Sequence, residues 1–173
     1  MLMIQNKTVF ILVGPKGCGK SHIGTIVEKY LSMPFLNVDK LGLENIPKSK
    51  LLGEDLIIEG FHWEEAKIAE ILQTENSVIF EATGSHDYFF IVLARLRSNY
   101  KVKLIRVSAP LDKCRERMAH RDQTKNIPVS SELIQFINER ALKVCLPWDL
   151  ELDNSVDISE RIIVKAFQRL HRH

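Results

Sequence analysis

Thr8-Val-Phe-Ile-Leu-Val-Gly14-Pro15-Lys16-Gly17-Cys18-Gly19-Lys20-Ser21 is the stretch on which the fold turns. Val9 to Val13 form a short apolar, β-branched run of the kind buried in a parallel sheet. Gly14 to Ser21 then spell G-x-x-x-x-G-K-S. Gly14, Gly17 and Gly19 admit torsions that a Cβ forbids, so successive N–H groups can turn inward around an anion. Behind them Ile23, Ile26, Val27, Tyr30 and Leu31 recur at the spacing of one helical face. A helix opening near Gly19 adds its positive N-terminal end. Strand before and helix after are the context that makes this motif a phosphate-binding loop.

The expected nucleotide contacts are Gly14, Pro15, Lys16, Gly17, Cys18, Gly19, Lys20, Ser21 and His22. Lys20 has the reach for β- and γ-phosphates, and the Ser21 hydroxyl suits Mg²⁺. The motif therefore predicts a nucleoside triphosphate and Mg²⁺ as cofactors, the triphosphate being ATP on the resemblance given below.

The 173 residues amount to about one domain. Lys and Arg number 24 against 22 Asp and Glu, a formal charge of +2. That balance gives no global pull toward nucleic acid or an anionic membrane. Cys18, Cys114 and Cys145 form no C-x-x-C pair, which fits a reducing compartment without a zinc site. Met1 to Lys7 lack the basic and apolar regions of a signal peptide. No apolar run approaches the roughly 20 residues of a membrane helix. The expectation is a cytoplasmic protein with no membrane partner, with monomer and dimer both open.

Outward from the loop, Phe35 to Asp39 reads as a second strand ending on a carboxylate. Lys40 to Gly60 reads as turns with a short helix. Trp63 to Leu72 reads as a helix with Glu64, Glu65, Lys67 and Glu70 toward water. Ser77 to Glu81 is a third strand, with Ser85 as cap of a helix reaching about Arg97. Val102 to Val107 is a fourth strand, and Pro110 opens a helix bearing Arg115, Arg117 and Arg121. Ser130 or Ser131 caps a helix that Pro147 stops. Leu150 to Asn154 is a fifth strand, and Asp157 with Glu160 reads as a capping box for a last helix carrying Ile158, Ile162, Ala166, Phe167 and Leu170. Strand and helix alternate, so the fold class is α/β with one parallel sheet. Ligands in such sheets bind beyond the C-terminal strand ends, which gathers Gly14, Asp39 and Glu81 on one edge. Asp39-Lys-Leu-Gly42 matches D-x-x-G by chance, since it sits too near the loop and no N-K-x-D follows.

The strand–loop–helix unit, the carboxylate after the second strand and the Arg-rich helix before a polar loop resemble the P-loop small-molecule kinases. The layout is most similar to the shikimate and gluconate kinase branch, with nucleoside monophosphate kinases related, and spans Thr8 to Leu170. The resemblance implies a three-layer P-loop sandwich with a five-stranded parallel sheet in order 2-3-1-4-5. It implies one domain over 1–173, a substrate-binding insertion at about 40–73 and a short lid at about 117–130. Catalytic roles fall on Lys20, on Asp39 facing the acceptor hydroxyl, and on Arg117 and Arg121 at the lid. Metal roles fall on Ser21 and Glu81. His62, Trp63 and His86 are weaker substrate candidates.

The sequence also departs from shikimate kinases. Asn37-Val38-Asp39 stands for D-x-D, Phe61-His62 for Phe-Arg, and Ala82-Thr83-Gly84-Ser85 for a triple glycine. These departures argue against shikimate as acceptor. The resulting expectation is an ATP-dependent kinase that transfers the γ-phosphoryl group to a hydroxyl or phosphate of its partner, a small-molecule phosphoryl acceptor or a nucleoside or nucleotide. A polynucleotide-end kinase, with nucleic acid as the less favoured partner, and a nucleotide-hydrolysing switch are the alternatives.

Overall fold

A computed structural model describes residues 7–45, 53–120 and 129–172. The sheet is built outward from β1 (Thr8–Val13), which pairs in parallel with β3 (Ser77–Ala82) on one side and β4 (Lys101–Ser108) on the other. β2 (Phe35–Leu36) extends the sheet beyond β3, and β5 (Leu150–Asp153) beyond β4. The order is β2-β3-β1-β4-β5, as the resemblance implies.

β1 is apolar from Val9 to Val13 because both faces of the sheet are covered. Phe10 and Leu12 face α1 (Lys20–Leu31), α5 (Leu111–Ala119) and α7 (Glu160–Arg172), meeting Ile23, Val27, Cys114, Ile163 and Phe167. Val9, Ile11 and Val13 face α2 (Val38–Asn45), α3 (Glu54–Thr74) and α4 (Tyr88–Asn99), meeting Leu41, Ile68, Phe89 and Val92. α6 (Ser131–Leu142) starts at a cap in which the Ser130 hydroxyl accepts from the Leu133 N–H.

Several elements differ from the sequence expectation. β2 stops at Leu36, and the chain turns into α2 because Asn37 caps it: its Oδ1 accepts from the Lys40 N–H at 2.8 Å. Asp39 thus lies in the first turn of a helix, where a carboxylate suits the dipole, and not on a strand. α3 begins nine residues before Trp63, at Glu54, with Glu54 and Asp55 in its first turn. α4 begins at Tyr88, and Ser85 instead bonds the Thr83 hydroxyl.

α6 ends at Leu142, ahead of Pro147. The Asp157–Glu160 capping box does not form: Asp157 pairs with Arg117, and Glu160 accepts from the Tyr30 hydroxyl. On α7 the buried positions include Ile163 and Phe167, while Ile162 is exposed. Tyr30 likewise sits at the surface.

Candidate functional site

Gly17 and Gly19 have φ of 86° and 103°, the left-handed region that a side chain disfavours. A Cβ on Gly17 would also lie 2.4 Å from the Cys114 carbonyl oxygen. The loop between β1 and α1 therefore curls tightly over α5. Two buried asparagines hold it from outside. Asn138 on α6 accepts from the Lys16 N–H at 2.7 Å and donates to the Lys16 carbonyl at 3.1 Å. Asn154, just after β5, donates to the Cys18 carbonyl at 2.8 Å.

Lys20 is buried, and its ammonium donates to the Gly14 and Pro15 carbonyls, both at 2.8 Å. The Ser21 hydroxyl, one residue on, lies 3.0 and 2.9 Å from the two Glu81 carboxylate oxygens. A hydroxyl and a carboxylate brought together at the mouth of a phosphate loop are the oxygen donors that Mg²⁺ takes. The residues present fit Mg·ATP on this ground.

A cleft of about 610 Å³ opens from the loop. Lys16, Gly17, Gly19, Lys20 and Ser21 border one end together with Glu81. α2 contributes Asp39, α3 contributes Phe61, Trp63 and Glu64, and α6 contributes Leu133, Phe136 and Ile137. Asp39 lies 3.9 Å from the Lys16 ammonium. The 40–73 stretch expected as an insertion includes most of α3, with residues 46–52 outside the described set.

Other expected residues lie elsewhere. Gly14, Pro15, Cys18 and His22 do not border the cleft; His22 is exposed on α1. Arg117 is also absent from the lining. It donates to the Asn154 carbonyl at 3.0 Å, to the Cys18 carbonyl at 3.5 Å and to Asp157 at 2.6 Å, so it braces the phosphate loop against the end of β5. Its hydrogen bond to Asp157 also holds that carboxyl below its usual range. Arg121, and the 121–128 portion of the expected lid, lie outside the described residues. Trp63 and His86 border the cleft, whereas His62 turns to the Tyr88 hydroxyl at 2.8 Å.

Glu64 is the main departure. Its expected position was toward water, yet it is 7% exposed. Among the described residues its Oε2 is buried without a hydrogen-bond partner. Burial first, and then the neighbouring charge of Glu81, push its carboxyl up to about 8. Asn138, Asn154 and Glu64 were all missed in the sequence. The signal for Glu64 was present, since it stands four and eight residues before the buried Ile68 and Leu72. Asn138 likewise lies three residues before the buried Ala141.

No family model matches this chain. The shikimate kinase of Francisella tularensis subsp. novicida strain U112 is 39% identical over 88 residues, 47% of this chain and 47% of the relative. The match thus spans about half the length of the curated relatives. A sugar kinase from Janibacter sp. HTCC2649 superposes over 95% of this chain and 94% of its own, with TM-score 0.67 and 15% identity. The APS kinase of Mycobacterium tuberculosis, solved with AMPPNP and APS, covers 98% and 99% with TM-score 0.66 and 14% identity.

The chain has the P-loop kinase fold. Within that fold Glu81 sits on β3 directly beside β1, in register with Leu12, which brings its carboxylate to Ser21. Asp39 belongs to the neighbouring α2 wall and meets the loop through Lys16. Among the described residues no helix is long and apolar enough to cross a membrane.

Proposed function

We propose that this protein is an ATP-dependent phosphotransferase acting on a hydroxyl group of a small molecule. The observation that carries the reading is the continuity of the cleft. It joins the loop residues Lys20 and Ser21, with Glu81, to a chamber walled by α2, α3 and α6. A nucleotide on the loop and a small acceptor in the chamber would meet there. The partial match to shikimate kinases, and the small-molecule kinases that share the fold, support the same reading.

Bound Mg·ATP would supply the γ-phosphoryl group and compensate charge during its transfer. Ser21 and Glu81 would hold the metal. Lys20 would exchange its two carbonyl acceptors for phosphate oxygens, a stronger charge-assisted pairing. Asp39 would orient the acceptor hydroxyl and take its proton as the new O–P bond forms and ADP leaves. Arg117 would keep the loop in shape through Cys18 and Asn154.

The test is thermal unfolding with saturating Mg·ATP, followed by a screen of hydroxylated acceptors for ADP release. At a hundredfold excess over Kd, binding adds about 2.7 kcal/mol, or roughly 5–10 °C for a domain of this size. Lys20→Ala should remove most of that rise. Absence of a rise with Mg·ATP in the unsubstituted protein would sink the reading.

A further inference from the structure

Beyond the phosphate loop two helix faces wall the chamber. On α3, Ile57, Gly60, Phe61 and Glu64 border the cleft at the spacing of one helical face. On α6, Leu133, Phe136, Ile137 and Arg140 border it at the same spacing. The charged member of each set is otherwise engaged: Glu64 is buried, and Arg140 pairs with Asp87 at 2.7 Å. The rest of each face is apolar, with open space beside Gly60, where a Cβ would meet nothing within 4 Å.

These apolar side chains are not covered. Phe136 is 55% exposed, and Ile57 and Leu133 are each 39% exposed. Exposed apolar side chains gathered on the walls of one cleft mark a binding groove. At about 610 Å³ the cleft has the size of a small-molecule site, which excludes a protein segment as its occupant. Because the chamber runs on from Lys20, Ser21 and Glu81, that occupant is the phosphoryl acceptor.

The wall is also aromatic, and one ring in it is fixed. Phe61 packs tilted against His86, with ring centroids 6.1 Å apart, and against Tyr88 at 5.7 Å. Tyr88 is held in turn, because its hydroxyl accepts from Arg95 at 2.7 Å and lies 2.8 Å from His62 Nε2. A ring locked in this way has little freedom left to lose when a ligand stacks on it. Trp63 and Phe136 add aromatic surface to the same cleft. Aromatic surface favours a second ring beyond the area that the pair buries.

We infer that the acceptor is a hydroxylated molecule carrying a flat aromatic ring, which lies against Phe61 and Phe136 while its hydroxyl reaches Asp39. The inference rests on the phosphotransferase reading, which assigns the chamber to the acceptor. Phe61 and Phe136 determine specificity and take no part in the transfer itself. Nucleosides and aryl glycosides share the required chemistry, a ring joined to a hydroxylated sugar, and the experiment tells them apart.

The experiment is calorimetric titration of matched acceptors into the protein held with Mg·AMP-PNP. One arm compares adenosine and thymidine with ribose and deoxyribose. The other compares phenyl glucoside with cyclohexyl and methyl glucosides, and shikimate and gluconate are titrated alongside. In one arm the aromatic member should bind at least about threefold tighter than its non-aromatic counterpart, the worth of a stacked ring beyond its area, and that arm identifies the source. Phe136→Ala alters an exposed helix position, so it should keep the melting temperature and the AMP-PNP affinity while weakening the aromatic acceptor by about 3–10-fold. Phe61→Leu keeps an apolar side chain and removes the ring. It should erase most of the preference for the aromatic over the non-aromatic member, which a merely structural phenylalanine would not do.

Equal binding of aromatic and non-aromatic members in both arms, or tighter binding of shikimate or gluconate than of any aromatic member, while Mg·ATP still raises the melting temperature, would overturn the inference and leave the phosphotransferase reading standing. An aromatic preference unchanged in both variants would also overturn it. So would a loss of AMP-PNP affinity in Phe136→Ala, by placing the nucleotide base on this wall. If Mg·ATP itself fails to bind, both fall together.

Discussion

Asp39 and Glu81 are two carboxylates of one cleft with different neighbours, and that difference assigns them separable tasks. Glu81 accepts from the Ser21 hydroxyl through both oxygens and is buried beside β1. Asp39 lies in the opposing wall, 3.9 Å from Lys16. Removing the charge of Glu81 with Gln keeps an oxygen for Ser21 but removes the donor that suits a hard cation. Glu81→Gln is therefore expected to raise the Mg²⁺ concentration needed for the ATP-induced melting shift. Asp39→Asn should leave that shift within error and reduce transfer by about 10²–10⁴-fold, the usual worth of a positioned base. Titrating Mg²⁺ by thermal unfolding and measuring ADP release on both variants separates the two. A loss of ATP affinity in Asp39→Asn with full activity in Glu81→Gln would reverse the assignment.

The element that ties the site together is α6. One turn of it presents Ile137 to the cleft while Asn138 grips Lys16 through both the N–H and the carbonyl. Asn138→Ala removes a donor and an acceptor at once and strands two backbone groups. The expected cost is about 1–3 kcal/mol for such a loss, read as a drop of several degrees in melting temperature with weakened Mg·ATP binding. Asn138→Asp retains the acceptor for the Lys16 N–H and should lose less. Equal nucleotide affinity in Asn138→Ala and the unsubstituted protein would show that the clamp does not shape the loop.

This clamp also marks where sequence reading reached its limit. β1, the loop and α1 were legible because their signals are local: an apolar run, fixed glycine spacing and a helical stripe. The sheet order follows only from the kinase resemblance, and the observed order agrees with it through the pairing of β1 with both β3 and β4. Asp39 reads as a strand end because a strand's apolar alternation and a two-residue strand followed by an Asn cap look alike over five residues. Asn138 and Asn154 act on partners 122 and 136 residues away, a relation that no local pattern carries. Glu64 is misleading by its type: charged residues are rarely buried, so it reads with Glu65, Lys67 and Glu70 as facing water although it shares a stripe with Ile68 and Leu72.

At the scale of the whole molecule, that buried carboxyl gives stability a pH dependence of known sign. In the folded protein Glu64 holds its proton up to about 8, against an ordinary value of 4.5, because burial and the charge of Glu81 and then Glu65 disfavour the ionised form. Between those two values the folded chain binds a proton that the unfolded chain has released. Raising the pH therefore draws the equilibrium toward unfolding. The contribution is fully present below pH 4.5 and is lost as pH rises through about 8.

Carboxyls shifted the other way act in a different window. Asp157 is lowered first by its hydrogen bond from Arg117, and Asp153 by that from Ser155, so both lose their contributions only as pH falls below 3.8. The Glu64 effect is thus separable. Glu64→Gln removes the titration and keeps the shape of the side chain. Denaturant unfolding of both proteins at several values between pH 5 and pH 8 should show the unsubstituted protein losing stability relative to the Gln variant, with a slope of up to about 1.4 kcal/mol per pH unit. The slope should flatten above pH 8. Parallel profiles across that range would mean that Glu64 ionises in the folded protein as it does in water, and the burial described for it would be wrong.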